Sequence, residues 1–208
     1  NDLTADESGH ENSNGLFRQR PDGAFDEIAE YAGVNEAGYG MGAAVADFDN
    51  DGFPDLYVSR YGQSVVARNN GDGTFTRAAA WCGMEGLNWS CSAAWFDADE
   101  DGDVDLYATT YSRWQADVRD QLAADTSLGR PMYRSPRSVS PTKHLYYENL
   151  GDGVFREASD AAGFNRDDGR GLGVVAADVN RDGHIDLYVA NDLCPNFLYL
   201  GRGDGTFD

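Results

Sequence analysis

The amino-acid sequence predicts an all-β fold made of blades of four antiparallel strands, the architecture of a β-propeller. Three observations lead to this prediction. An acidic loop that runs directly into a strand occurs three times, a Gly-Asp-Gly turn followed by Phe recurs in step with it, and the combined unit repeats every ~50 residues. A period of this size that holds four short strands is typical of a propeller blade.

Each repeat contains four segments with the composition of strands. The first is a run of small residues that leads into the acidic loop, and the second reads Leu-Tyr-Val or Leu-Tyr-Ala directly after it, which favours β structure. The third strand precedes the Gly-Asp-Gly turn, and the fourth begins at the Phe of that turn. Asp-Gly between apolar runs indicates a hairpin, because a type I′ turn needs positive φ.

We expect one partial propeller domain over residues 1–208. Its blades are predicted at 25–74, 75–154 and 155–206, with an insertion at 112–142 in the second. Residues 1–24 are expected to end a preceding blade, and residues 207–208 to begin another. Since three blades cannot close a ring and open edge strands invite pairing, we expect the sequence to be part of a longer chain.

The acidic loops have the pattern of a calcium site. Side chains with oxygen atoms occupy loop positions 1, 3, 5 and 9, and Gly occupies position 6. Alternate residues can direct their oxygens to one centre, and the carbonyl of position 7 can complete a cage of roughly six to eight ligands for a hard cation. Three carboxylates packed together repel strongly unless a cation lies between them. We therefore expect about three Ca²⁺ per chain, held by Asp47, Asp49, Asp51, Phe53 and Asp55, by Asp97, Asp99, Asp101, Asp103 and Asp105, and by Asp178, Asn180, Asp182, His184 and Asp186.

An EF-hand begins with the same pattern, but it closes with a bidentate Glu at position 12 and leads into a helix. Position 12 is Val58, Ala108 or Val189 here, and a strand sequence surrounds it. The EF-hand is therefore excluded, whereas solvated acidic turns without a metal remain an alternative. The third loop carries Asn180 at position 3, so we expect it to bind Ca²⁺ more weakly than the first two loops.

Composition excludes several function classes. A net charge of −20 and a pI near 4.2 argue against a nucleic-acid or anionic-membrane partner. No apolar run approaches the ~20 residues of a membrane span. No Cys-x-x-Cys motif is present, so zinc and thioredoxin-type sites are unsupported. Cys82 and Cys91 can form a disulfide or remain buried thiols, and Cys194 is then left over.

Three sequence segments carry a family resemblance: Asp-Leu-Tyr-Val-Ala-Asn-Asp at 186–192, Pro-Asn-Phe-Leu-Tyr at 195–199 and Gly-Asp-Gly-Thr-Phe at 203–207. In these segments the repeat resembles the FG-GAP/VCBS class, which includes the calcium blades of integrin α-subunits. It is most similar to the cartilage acidic protein family and its bacterial relatives. The resemblance implies an extracellular or periplasmic propeller of about seven blades. It also implies calcium binding and a contact-mediating role, without an established common catalytic activity.

The leading functional prediction is a calcium-binding propeller module that is not an enzyme and has a structural or interaction role. Its expected partner is another protein or a glycan, in a larger assembly. One alternative is a carbohydrate-active enzyme on a calcium-dependent propeller. Another is a lectin that stacks sugars on Trp81, Trp89, Trp95 and Trp114, although core packing also explains Trp89 and Trp95.

The insertion at 112–142 is a second candidate contact site. Together with its flanking residues it carries a net positive charge on an otherwise acidic chain, and long loops often carry function. The alternative is that this segment folds onto the acidic face of its own propeller.

Overall fold

The computed structural model describes residues 13–84, 86–113 and 136–208. Within these ranges, no helix has the length and apolar character needed to cross a membrane. Two helical turns, α1 (Ala29–Ala32) and α2 (Ala79–Cys82), and a 3-10 turn at Pro136–Ser138 accompany the strands. The strands are β1 (Phe17–Gln19), β2 (Phe25–Glu27), β3 (Tyr39–Ala46), β4 (Asp55–Gln63), β5 (Val65–Asn69), β6 (Phe75–Arg77), β7 (Leu87–Phe96), β8 (Asp105–Arg113), β9 (Leu145–Asn149), β10 (Phe155–Glu157), β11 (Gly171–Ala177), β12 (Asp186–Asn191) and β13 (Phe197–Tyr199).

The strands pair in chain order into antiparallel blades, which confirms the predicted all-β fold of propeller blades. The first blade pairs β3 through β6, and the second pairs β7 through β10. The C-terminal end of β4 also pairs with the N-terminal end of β7, which joins these two blades in one sheet. The third blade contains β11 to β13, and Phe207 adds a single bridge to Gly201. The hairpin β1–β2 precedes the first blade. The predicted blade boundaries at 25, 75 and 155 stay a prediction.

Loops and turns lie where the sequence places them. Each acidic loop joins the first strand of a blade to the second, and each Gly-Asp-Gly turn of the first two blades joins the third strand to the fourth. In these two turns the second glycine has positive φ, 88° at Gly73 and 71° at Gly153. Glycine adopts this backbone conformation without the steric cost that other residues meet.

Successive side chains of a strand point to opposite faces of the blade. The two faces of the second strand pack against different neighbours in the first two blades. Tyr57 on β4 contacts Trp95 of the second blade edge-on, with ring centroids 6.4 Å apart. On β8, Leu106 joins the cluster shared with the first blade. Tyr107 joins the cluster shared with the third blade and lies 4.9 Å from the ring of Phe164. Leu thus faces the preceding blade and Tyr faces the following blade.

Three apolar clusters fill the spaces between successive units, rather than the interior of any one sheet. The cluster between the first and second blades contains Phe48, Tyr57, Val66, Ala78, Cys82, Met84, Leu106, Ala108, Tyr147 and Phe155. The cluster between the second and third blades contains Phe96, Ala98, Tyr107, Tyr146, Ala158, Ala162, Phe164, Leu187, Val189, Phe197, Tyr199 and Phe207. A smaller cluster packs α1 against the first blade through Ala29, Ala32, Val34, Val65 and Ala67.

The three cysteines are free thiols, so the alternative without a disulfide describes this structure. Cys82 and Cys91 are buried, and Cys194 is partly buried. Burial raises the pKa of the Cys91 thiol to about 11, which keeps it protonated at neutral pH. Cys82 and Cys91 therefore behave as small apolar core residues, whereas Cys194 accepts a hydrogen bond from Arg170 at 2.9 Å.

Most of the insertion, 114–135, lies outside the described residues, and its predicted contact role stays a prediction. Its C-terminal end is anchored on the propeller. Arg170 donates hydrogen bonds of 3.0 and 2.7 Å from Nε and Nη2 to the carbonyl oxygen of Val139. The Ser112 hydroxyl donates to the carbonyl of Ser140 at 3.0 Å.

Candidate metal centres

The three acidic loops share one backbone frame. The Asp at position 1 accepts the N–H of the Gly at position 6, and the Asp at position 5 accepts the N–H of position 7. The first distance is 2.8, 3.0 and 3.0 Å for Asp47–Gly52, Asp97–Gly102 and Asp178–Gly183. The second distance is 3.0, 2.9 and 2.9 Å for Asp51–Phe53, Asp101–Asp103 and Asp182–His184. The position 6 glycines have φ of 90°, 96° and 96°, a conformation that other residues adopt only with strain.

The first two loops bring together the carboxylates of positions 1, 3 and 5. One oxygen from each of Asp47, Asp49 and Asp51 lies within 4.8 Å of the others, and the same holds for Asp97, Asp99 and Asp101. The third loop has only two acids at these positions, and the Asn180 amide donates to Asp182 at 2.8 Å. Of the predicted side-chain ligands, those at positions 1, 3 and 5 are therefore clustered in the first two loops.

The position 9 Asp has a further role that the spacing alone does not reveal. The residue is 0%, 2% and 0% exposed for Asp55, Asp105 and Asp186. One oxygen accepts the N–H of loop position 2 and the other accepts an N–H at the end of the third strand, at Phe48 and Asn69, Ala98 and Asn149, and Val179 and Gly201. All six distances are between 2.7 and 3.0 Å.

This carboxylate therefore ties each loop to the third strand of its blade. Burial raises the pKa of Asp55 and of Asp105 to about 6, against the lowering effect of the backbone hydrogen bonds. Each carboxylate oxygen has a second lone pair that is open to another partner. Metal ligation by position 9 stays a prediction, as does ligation by the carbonyls of Phe53, Asp103 and His184.

Neighbouring loops are linked through side chains at positions 4 and 7. Position 4 has left-handed backbone, with φ of 57° at Asn50 and 62° at Glu100. The Asn50 amide donates to Asp103 of the second loop at 2.5 Å, and Glu100 contacts Nδ1 of His184 in the third loop at 2.6 Å. The bond to Glu100 raises the pKa of His184. Sequence reasoning missed these links, although the polar residues at positions 4 and 7 are a signal for them.

In the first loop, an arginine from the third strand contacts the acidic cluster. Arg68 on β5 donates through Nε to Asp49 and through Nη2 to Asp51, the latter at 2.8 Å. Its side chain is 42% exposed. The guanidinium lies against two of the three clustered carboxylates. Its positive charge offsets part of the repulsion among them.

The second loop has no such cation from its third strand. The residue equivalent to Arg68 is Glu148 on β9, and its carboxylate is paired with Arg156 at 2.5 Å. One oxygen of Asp97 is buried without a hydrogen-bond partner. Burial, with the charges of Asp101 and Asp97, raises the pKa of Asp99. A buried, unpartnered carboxylate oxygen beside two more carboxylates fits a hard cation, whose ligands are oxygens of this kind.

Comparison with known proteins agrees with this repeat architecture. A family model described as FG-GAP-like repeat matches residues 3–58, 47–108 and 138–189. Cartilage acidic protein 1 from Homo sapiens is 40% identical over 57 residues, which cover 27% of this chain and 9% of that relative. The family model covers most of the chain and all three acidic loops. The chain therefore belongs to the FG-GAP-like repeat family.

Proposed function

We propose that this FG-GAP propeller module is not an enzyme, that Ca²⁺ stabilises it, and that it presents surfaces to another protein or a glycan. The observation that carries the proposal is the second loop, where three carboxylates converge and one Asp97 oxygen is buried without a partner. Such an arrangement is destabilising without a cation, because like charges in a partly buried site repel strongly. The proposed cations are about three Ca²⁺, one per loop.

The side chains at positions 1, 3 and 5 would hold the cation, together with the carbonyl of position 7 and the carboxylate of position 9. A bound Ca²⁺ supplies positive charge that offsets the repulsion among these groups. Since the position 9 Asp already joins the loop to the third strand, the metal would hold three strands of a blade in one arrangement. Its proposed role is therefore structural.

Two of the four candidate tryptophans, Trp89 and Trp95, favour an interaction module over a lectin that stacks sugars on them, whereas Trp81 is 45% exposed. Trp95 packs against Phe48 and Phe155, with ring centroids 5.9 and 5.8 Å apart. Trp89 lies between Tyr61 and Tyr111, at 5.2 and 4.6 Å. Both are accounted for by aromatic packing, whereas Trp114 lies outside the described residues.

The environment of the buried His144 argues against a catalytic base at that position. His144 is 2% exposed, and its Nδ1 lies 2.9 Å from the hydroxyl of Tyr107. Burial lowers its pKa to about 4, and both residues border the apolar cluster between the second and third blades. A position between blades favours a packing role, because a general base must reach a substrate.

The proposed setting is extracellular or periplasmic. Extracellular calcium modules bind with Kd on the order of 10⁻⁴–10⁻³ M, so a site of this class is filled outside the cell and not in a resting cytosol. The human relative is named a cartilage protein, which supports a contact-mediating role in such a compartment. The matched segment covers 9% of that relative. The partner of this chain is therefore to be identified by experiment and not from the relative.

The test is to count bound metal and record thermal unfolding in millimolar Ca²⁺ and after EDTA. We expect about three Ca²⁺ per chain and a large fall in the melting temperature on chelation. The double variant Asp99→Ala with Asp101→Ala should lose one Ca²⁺. Asp167→Asn, an exposed acid outside the loops, is the matched control and should lose none. A wild-type chain without bound metal, whose melting temperature is insensitive to EDTA, would refute the proposal.

A further inference from the structure

A small polar cavity lies at the end of the first blade opposite to its acidic loop. β4 begins at the loop and runs for 9 residues to Gln63, which places its far end roughly 25 Å from the loop. There the turn between β4 and β5 borders a cavity of about 230 Å³, whose lining residues all fall between positions 36 and 79. The cavity is therefore built within the first blade and the connection that leads into it. It is smaller than the ~300–1,000 Å³ of a site for a drug-sized ligand, so it suits a single small ring.

Two arginines share one carboxylate in this cavity. Arg60 donates from Nη1 to Oε2 of Glu36 at 3.1 Å, and Nη2 of Arg77 contacts the same oxygen. The side chains of Glu36 and Arg60 are 12% and 13% exposed, whereas that of Arg77 is 71% exposed. Among the described residues that line the cavity, Glu36 is the only acid. Two positive charges thus face one negative charge, on a chain whose net charge is −20.

The guanidinium of Arg60 is held in a fixed position. Its Nη2 donates to the carbonyl oxygen of Ala37, and its Nε is buried without a hydrogen-bond partner among the described residues. Gly38 makes room for it, because a Cβ atom there would lie 1.7 Å from Nη2. A guanidinium binds a carboxylate better than any other side chain does, since its planar donors match the two oxygens. A fixed guanidinium loses little side-chain entropy when such a ligand binds.

These charges belong to the first blade and not to the repeat. Strand pairing makes Thr110 and Asn191 the equivalents of Arg60, and Glu157 on β10 is the equivalent of Arg77 on β6. The second blade therefore has no cation at either position. A structural element that every blade needs would recur, whereas a recognition site need occur only once.

The remaining lining distinguishes among anions. Gln63 and Ser64 contribute an amide and a hydroxyl, and Val65, Val66 and Ala79 contribute apolar surface. A uronate, which is a sugar ring that carries a carboxylate, has a group for each of these: the carboxylate for a guanidinium, hydroxyls for the amide and a C–H face for the apolar surface. A simple carboxylate matches the arginines alone.

We propose that this cavity binds a uronate residue of an acidic glycan. Arg60 and Arg77 hold the carboxylate, and Gln63 bonds a hydroxyl of the ring. The acidic loop does not prevent this, because charges roughly 25 Å apart are screened over a Debye length of about 8 Å at physiological salt. The assignment rests on the proposed contact role, but it does not require Ca²⁺ in the acidic loops.

The probe is methyl β-D-glucuronide, titrated into the chain in millimolar Ca²⁺ and followed by NMR. Methyl β-D-glucoside is the matched neutral sugar, and acetate is the matched simple carboxylate. The glucuronide should bind about tenfold or more tighter than either of them, because each lacks one set of the hydrogen bonds. Equal affinity for the glucoside or for acetate overturns the proposal.

Charge reversal at Arg77 locates the site. Arg77→Glu introduces the residue that the second blade carries at this position, and it should weaken glucuronide binding at least about tenfold. Arg18→Glu, at an exposed arginine on β1, is the matched control and should leave the affinity unchanged. Gln63→Ala should weaken the binding of the glucuronide but not that of acetate. Equal affinities of Arg77→Glu and Arg18→Glu overturn the assignment.

A final comparison separates this site from the acidic loops. Glucuronide binding that survives Arg77→Glu but is lost in the double variant Asp99→Ala with Asp101→Ala overturns the proposal, because the sugar would then bind through the metal. Bound Ca²⁺ is counted in the same samples. Ca²⁺ without glucuronide binding refutes only the uronate site, whereas glucuronide binding without Ca²⁺ refutes only the calcium function.

Discussion

The first and second acidic loops have the same ligand pattern and the same backbone frame, yet they differ in what the third strand brings to them. Arg68 donates to Asp49 and Asp51 in the first loop. At the equivalent place the second loop has Glu148, which is paired with Arg156. The residues within a loop arrange the clustered oxygen atoms. The residue that the third strand places beside them sets the local charge of the site. The sequence pattern does not distinguish the first two loops. If the proposed Ca²⁺ binds, we expect the second loop to hold it more tightly, because no arginine competes for its carboxylates there.

Both loops share the buried Asp at position 9, and its substitution should give the largest loss of stability. The loss should be the same in the two loops. Asp55→Asn and Asp105→Asn each place an amide where one carboxylate oxygen accepts a buried backbone N–H. We expect each to lower the free energy of unfolding by about 2–3 kcal/mol in EDTA as well as in Ca²⁺. Urea unfolding measures this, with Asp167→Asn as the control. Full stability in EDTA would show that the carboxylate does not tie the loop to the third strand.

The charge difference can be reversed in the second loop. Glu148→Arg should reproduce the arrangement of the first loop and weaken Ca²⁺ binding there on the order of 100-fold, because it changes the local charge by two units. Calorimetric titration with Ca²⁺ measures it, and Glu148→Gln should fall between the two. An unchanged tightest site would mean that the third strand does not set the affinity.

The complementary change in the first loop is smaller. Arg68→Gln removes the guanidinium that competes for Asp49 and Asp51 and should tighten Ca²⁺ binding about tenfold. Arg77→Gln, which removes an exposed arginine paired with Glu36, is the matched control and should not alter the calcium titration. Equal Ca²⁺ affinities of Arg68→Gln and Arg77→Gln would show that Arg68 does not compete with the metal.

The link between the second and third loops should give the smallest effect. Glu100 raises the pKa of His184, so the pair contributes below the ordinary pKa of histidine, and the contribution is lost as pH rises through the raised value. Glu100→Gln should lower the pKa of His184 in an NMR titration. A His184 pKa that is the same in both proteins would argue against the link in solution.

The fold could be predicted from sequence because its signals are local. Alternation marks the strands, and Asp-Gly marks the turns, since each depends on residues a few positions apart. The same holds for positions 1, 3 and 5 of each loop. Their clustering in the first two loops follows from spacing alone.

What the sequence did not reveal depends on contacts between distant segments. Arg68 and Glu148 each precede the Asn before a Gly-Asp-Gly turn, far along the chain from the acids that they influence. The turns at 78–84 and 158–164 each contain a small residue, a Gly and a large apolar residue in succession. Their packing becomes clear only in the structure, where a Cβ atom at Gly83 or Gly163 would lie 2.4 Å from the carbonyl oxygen of Phe155 or Phe207. Local propensity does not report such packing.

The placement of the apolar clusters between blades has a consequence for how the molecule comes apart. Stability in such an array is a sum over nearest-neighbour interfaces. The second and third blades each supply part of the cluster that lies between them, so a cavity made on either side of it is expected to speed amide hydrogen exchange in both blades together.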